Sequence, residues 1–165
     1  MADRFTYDDV SSYSLEDADE QELLEKQNEC SFMWTNKEGW PVGVIMSYLV
    51  RDGCFWLSVS SLRKRVQAVE RDPRSCISIT SKGSGIDGSW ALTYKGTTEV
   101  LKDRETIDWF LPALAERLRR GDPVAQEEFV RLNDTENRRV LKFTPTQRIG
   151  FDGRKMRAAT QEARR

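Results

Sequence analysis

The sequence predicts a mainly β fold with helices added: a small six-stranded barrel, crossed by one short helix and carrying others. Three observations support it. Six short stretches, apolar or alternating, are separated by closely spaced turn signals, the pattern of a small all-β body. One helical stretch, 61–71, interrupts them between the third strand and the fourth. The remaining helical periodicity in the later half falls between the fifth strand and the sixth. At 165 residues the chain fits one domain, and that length buries roughly two-thirds of its unfolded surface without disulfide or metal support.

Residues 1–28 are acidic: nine carboxylates, from Asp3 to Glu25, face only Arg4 and Lys26. Ser14 is spaced to cap a helix with Asp17 three residues on, and Glu22 pairs with Lys26 at i, i+4. A helix is therefore expected over about 15–27, anchored by Leu15, Leu23 and Leu24, after first residues that dock late or not at all. The first strand, 30–35, ends at Asn36-Lys37-Glu38-Gly39, a turn with glycine where a positive φ is wanted. The second, 40–50, is apolar nearly throughout from Val42 to Val50. One face of a small barrel does not need that, so a second subunit is expected to cover part of it. Arg51-Asp52-Gly53 carries the Asp-Gly hairpin signature and leads into a third strand, 54–60.

After the crossing helix comes a fourth strand, 75–80, then a loop, 81–89, with three glycines. In the fifth strand, 90–101, Trp90, Leu92 and Tyr94 alternate with Ala91, Thr93 and Lys95, as in a half-buried strand. Asp103 caps a helix over 103–120 that Pro112 should break or kink. Pro123 restarts one as far as Leu132, at the favoured first position. The sixth strand, 140–144, extends over 148–151 past Pro145. From Asp152 the tail carries Arg154, Lys155, Arg157, Arg164 and Arg165 and is expected as a solvated end.

Composition removes several functions. With 26 basic and 27 acidic residues the net charge is −1, which gives no overall pull toward nucleic acid or a membrane surface. No apolar run approaches a membrane span and no signal peptide is recognisable, so a cytoplasmic location is expected. The chain has no histidine, which excludes a histidine triad or general base. Cys30, Cys54 and Cys76 form no CxxC pair, which argues against zinc and for reduced core residues. Glu70 and Asp72 read better as a helix end than as a catalytic pair. Trp34, Trp40 and Trp109 are assigned to core or interface.

The stretch FWLSVSSLRKRVQAVERDP, residues 55–73, holds the chemistry. It opens as an aromatic and branched strand. Ser58, Ser60 and Ser61 follow, then Arg63-Lys64-Arg65. Leu62, Val66 and Val69 stand at i, i+4 and i+7 of a helix that Asp72-Pro73 ends. Hydroxyls, free amides and the positive end of the helix dipole meet there, which suits a phosphate. The same run also reads as a solvated basic first turn.

Four segments, ECSFMWTNKEGWPVGVIMSY, WLSVSSLRKRVQAVERDPRSCISI, GSWALTYKGTTEVL and RVLKFTPTQRIGFDG, resemble in order and spacing the FMN-binding split-barrel superfamily. These are the pyridoxamine 5′-phosphate oxidase-like proteins and their actinobacterial deazaflavin-binding relatives, and the resemblance covers about 20–151. It implies a homodimeric six-stranded Greek-key split barrel with its cofactor in grooves between subunits. It implies that Lys64 and Arg65 hold the flavin phosphate, in the reverse of the oxidase's arginine-lysine order, with Ser58, Ser60 or Ser61 assisting. Charge is preserved, although arginine grips a phosphate bidentately and lysine acts as a point charge.

The ring is expected against Val44, Ile45, Met46 and Ser47 and against Ser58, Val59 and Ser60, with Trp90 reaching it from the other subunit. Val44 and Met46 serve equally well as core residues, and Trp90 as a packed strand start. The chain then divides into an acidic segment and helix, 1–28, a flavin-binding barrel, 29–152, and a basic tail, 153–165. The implied function is an oxidoreductase passing hydride or electrons through FMN at the dimer interface to a small-molecule substrate. Substrate contacts are expected from 81–89 and 148–157, with no nucleic-acid or membrane partner. The alternatives are a reductase using the deazaflavin coenzyme F-420 and a non-enzymatic flavin- or haem-binding barrel.

Overall fold

The computed structural model describes residues 6–164. Its strands are β1 Glu29–Thr35, β2 Pro41–Arg51, β3 Cys54–Ser60, β4 Arg74–Thr80, β5 Trp90–Leu101 and β6 Arg138–Asp152. They close into a barrel in the order β1-β2-β3-β6-β5-β4, every neighbouring pair antiparallel. Alternate side chains point inward, so Phe32, Tyr48, Leu57, Ile77, Leu92 and Phe143 share one core. The crossing helix, α2 Lys64–Arg71, adds Val66 and Val69 to that core. Two further helices, α3 Arg104–Leu118 and α4 Pro123–Asn133, form a second layer. There Ile107, Phe110, Leu111 and Leu114 cover Cys54, Trp56 and Val140. Cys54 through Leu57 are all buried because β3 lies between both layers.

The barrel is split. β2 and β3 pair only between Tyr48–Arg51 and Cys54–Leu57. The earlier half of β2 pairs with β1 alone, and Ser58–Ser60 pair with β6 alone. The two strands diverge where the serines begin, and α2 starts from that opening.

Several expectations are corrected. The helix containing Pro112 is unbroken, because burial of Leu111 and Leu114 beside it outweighs one lost hydrogen bond. The extension of β6 past Pro145 is borne out, in a single strand Arg138–Asp152. Lys95 faces Gln147 while Gly96 faces Pro145, so Thr146 is the extra residue of a bulge, where a proline is tolerated. The first α-helix, α1 Asp17–Lys26, begins after Glu16 and has no side-chain cap, so Ser14 does not cap it. Leu15 anchors the segment from just outside that helix. Ser11–Tyr13 form a 3-10 turn with Tyr13 buried, so this part of the opening segment is docked. Residues 1–5 and Arg165 of the tail lie outside the described residues.

The basic tail is docked at its start, while Arg157 and Arg164 beyond it are exposed. It forms α5 Gly153–Glu162, capped by Asp152 accepting from Arg154 N at 2.8 Å. Two of its cations, Arg154 and Lys155, with Arg148 of β6, meet the acidic segment. Arg154 pairs with Asp19 at 2.6 Å, Lys155 with Glu16, and Arg148 with Glu20. Lys155 also donates to Ser14 O at 2.8 Å and Arg148 to Leu15 O at 2.6 Å. Among the described residues these pairs tie the acidic segment to the start of α5 and the end of β6.

Among the described residues no helix is long and apolar enough to cross a membrane. None of the three cysteines forms a disulfide; Cys30 and Cys54 are buried and Cys76 half-buried. Burial, then the neighbouring Glu29, pushes the Cys30 thiol up to about 12. Since the thiolate is the reactive form, Cys30 is expected to resist a thiol reagent at neutral pH in the native protein. Mass spectrometry after brief labelling checks this, and rapid modification of Cys30 would contradict it.

Candidate cofactor-binding site

The site is built where β3 leaves β2. Val59 faces the barrel core, so Ser58 and Ser60 face outward on the same strand. The helix begins at Lys64, three residues later than the serines suggested, and Leu62 is 77 % exposed instead of joining the face of Val66 and Val69. In the intervening turn Arg63 N donates to Ser60 O at 3.0 Å, and Leu62 N to Ser60 Oγ at 3.3 Å. Arg63 sits at the helix N-cap in an extended conformation, with no side-chain cap over the first amides. Val66 N bonds to Arg63 O at 2.9 Å, which leaves the Lys64 and Arg65 amides for another acceptor.

Ser61 Oγ donates to Asn137 Oδ1 at 3.0 Å, and Ser61 N to Asn137 O at 2.8 Å. Its proton is thus committed, whereas among the described residues none accepts the protons of Ser58 and Ser60.

Among the described residues no carboxylate lies within ion-pair distance of Arg63, Lys64 or Arg65. Arg65 is half-buried, and its Nε is fully covered with no hydrogen-bond partner. Burial, then the adjacent Arg63, lowers its pKa below the usual arginine value. An unsatisfied covered donor costs about 1–3 kcal/mol, and an anion at this point would satisfy it. The residues present therefore fit a phosphate. Lys64 opens onto a cavity of about 370 Å³ that Trp34, Lys37 and Arg71 also line.

The four expected ring contacts on β2 separate by strand period. Met46 faces the core and Val44 packs partly against it, as in the core reading of both. Ile45, 63 % exposed, and the half-buried Ser47 alternate with them. Val44 and Ile45 also line a shallow cavity of about 340 Å³ with Met33, Val42 and Gly43. Trp90 is buried beneath the Arg154 guanidinium, 4.2 Å from its ring centroid, with its Nε1 unpartnered. It pairs with Asp152, at the opposite end of β6 from the cradle, so within one chain it does not join the serines and cations.

Sequence reading passed over Arg138, the first residue of β6, which stands opposite Ser60. The strand was expected to start two residues later, and cross-strand neighbours are set by register. A second polar cluster was also missed. The buried Tyr94 hydroxyl donates to Glu20, whose other oxygen pairs with Arg148, beside a cavity of about 590 Å³. Burial, followed by the Glu20 bond, raises the Tyr94 phenol above its ordinary value.

A six-stranded barrel split at this point defines the split-barrel class. Residues 17–151 match the family described as pyridoxamine 5′-phosphate oxidase, and the chain belongs to that family. The fold resembles a conserved hypothetical protein from Mycobacterium tuberculosis, with a TM-score of 0.74 and 18 % identity over 86 % of this chain and 88 % of that one. It also resembles the heme storage protein HutZ from Vibrio cholerae, with a TM-score of 0.68 and 12 % identity over 83 % of this chain and 94 % of the other. An F-420 reductase gives a TM-score of 0.59 and 16 % identity over 78 % and 94 % of the two chains. No curated protein matches this sequence. At these identities the likeness is one of fold.

Proposed function

We propose that this protein is a homodimeric, cytoplasmic flavin-binding oxidoreductase that holds FMN at its subunit interface and acts on a small molecule. The observation that carries the reading is the set of unneutralised cations with a covered, orphaned Arg65 Nε beside outward serines. Bound flavin would supply the hydride or electron chemistry at its ring. The chain's residues bind and orient it. Lys64 and Arg65 neutralise the phosphate, while Ser58 and Ser60 donate to it. Ser61 supports the turn through Asn137. Ile45 and Ser47 offer the outward side of β2 to the ring, backed by Val44, Met46 and Val59. Trp90 closes the groove from the second subunit. In this reading 29–152 is the flavin-binding barrel, and the segments on either side brace it.

The exposed apolar side chains Trp40 and Ile45, 68 % and 63 % exposed, support a subunit contact along β2. One observation favours coenzyme F-420 as the second reading. Arg63 adds a third unpaired cation, more positive charge than one phosphate requires, and a deazaflavin with an acidic tail would use it.

FMN and coenzyme F-420 titrated separately into the protein, followed by absorbance and by sedimentation equilibrium, test this. The expected result is saturable binding of one of them to a species of twice the 19.1 kDa chain mass. A monomer that binds neither would overturn both the cofactor and the dimer.

A further inference from the structure

We infer that Arg138 is a member of the phosphate cradle, contributed by the start of β6 rather than by the β3–α2 turn. The inference rests on the cofactor reading above and adds a residue that neither the basic run nor the family match points to. Arg138 stands directly across from Ser60 in the β3–β6 ladder. Its Nη1 donates to Ser58 Oγ at 2.9 Å and its Nε to Asn133 O at 2.6 Å. The preceding residue, Asn137, holds Ser61 through both its main-chain and side-chain oxygens. The start of β6 is thereby fastened to the serine turn at three points.

Two chemical consequences follow. A serine hydroxyl has one proton. Since Ser58 Oγ accepts from Arg138, that proton remains available to a further acceptor, and among the described residues none takes it. Arg138 thus presets Ser58 as a donor. The guanidinium also keeps capacity of its own: of its five N–H groups two are used, and Nη2 has no partner among the described residues. Among the described residues no carboxylate lies within ion-pair distance of it, because the nearby Asp134 is held by Arg104 at 2.6 Å. A half-buried, charge-unpaired arginine with a free fork, bonded to a hydroxyl that must donate outward, suits a phosphate ester dianion.

The test separates the phosphate from the ring. FMN and riboflavin, which lacks the phosphate, are titrated by flavin fluorescence into wild type, Arg138→Ala, Arg138→Lys and Ser58→Ala. Arg138→Ala is expected to weaken FMN about ten- to a hundredfold and leave riboflavin unchanged. Arg138→Lys, which keeps the charge but loses the fork, and Ser58→Ala are expected to weaken FMN alone by smaller factors. FMN affinity unchanged in Arg138→Ala overturns the assignment. So does an equal loss for FMN and riboflavin, particularly with a lowered melting temperature, since Arg138 would then act only by holding Asn133. If Arg138→Ala does not fold, the Arg138→Lys contrast between the two ligands decides. A wild-type protein that binds FMN no more tightly than riboflavin removes the phosphate cradle itself and this assignment with it. Phosphate-dependent binding that survives in Arg138→Ala removes only Arg138.

Discussion

Lys64→Ala combined with Arg65→Ala is expected to weaken FMN binding by about two orders of magnitude or more while leaving the fold intact. Each charge-assisted bond to a phosphate contributes roughly 1.5–3 kcal/mol, and two are removed together. The cost to folding is small for separate reasons. Lys64 is exposed, and a cation in the first helical turn opposes the helix dipole. Arg65 has a covered Nε without a partner, so its removal also relieves an unsatisfied donor. The measurement is an FMN titration of wild type and double mutant with melting temperature as the control. Equal affinity in the two proteins would sink the cradle, whereas a large fall in melting temperature would mean that these side chains support the fold.

Gly96→Ala is expected to show the largest loss of stability of any single substitution considered. A Cβ there would lie 2.1 Å from Thr144 O and 2.8 Å from the Phe143 ring. Neither can yield cheaply. Thr144 is laddered to Thr97 on the next residue, and Phe143 is fully buried in the core. Relief would require reopening the bulge at Thr146 or repacking the barrel, so about 3 kcal/mol or more should be lost. For a chain of this size that lowers the melting temperature by roughly 6–12 °C. Gly39→Ala is the matched control: its φ of +83° makes alanine strained, but nothing lies within 4 Å, so a loss of about 1 kcal/mol is expected. A Gly96→Ala protein as stable as Gly39→Ala would refute the close approach of β5 to β6.

The strands were legible because their signals are local. Asp52 and Gly53 take positive φ values of 53° and 70°, as their hairpin signature requires. Asp103 accepts from Thr106 N three residues on, as its place before the helix requires, and Pro123 opens the next helix. What the sequence hid was set by neighbours distant along the chain. Ser14 satisfies the rule for a cap, yet the burial of Leu15 holds the chain extended until Glu16. The tail reads as solvated because its acidic partners stand more than a hundred residues earlier. The cradle was half legible: the serines and cations of one continuous stretch could be read, whereas Arg138 enters only through the β3–β6 register.

The meeting of the acidic opening with the basic helix has a topological consequence. Tyr7 and Thr160 share a hydrogen bond of 2.9 Å between their hydroxyls, so the two described ends of the chain lie side by side. Between these two residues the described backbone nearly closes on itself. Joining these ends with a short glycine-serine linker and reopening the chain in the loop at 81–89 would keep every strand pairing while relocating the termini. The opening falls between the serine turn and the start of β6, so the two parts of the cradle would then be connected through the new linker. The rearrangement would change only the order in which the barrel's strands are synthesised.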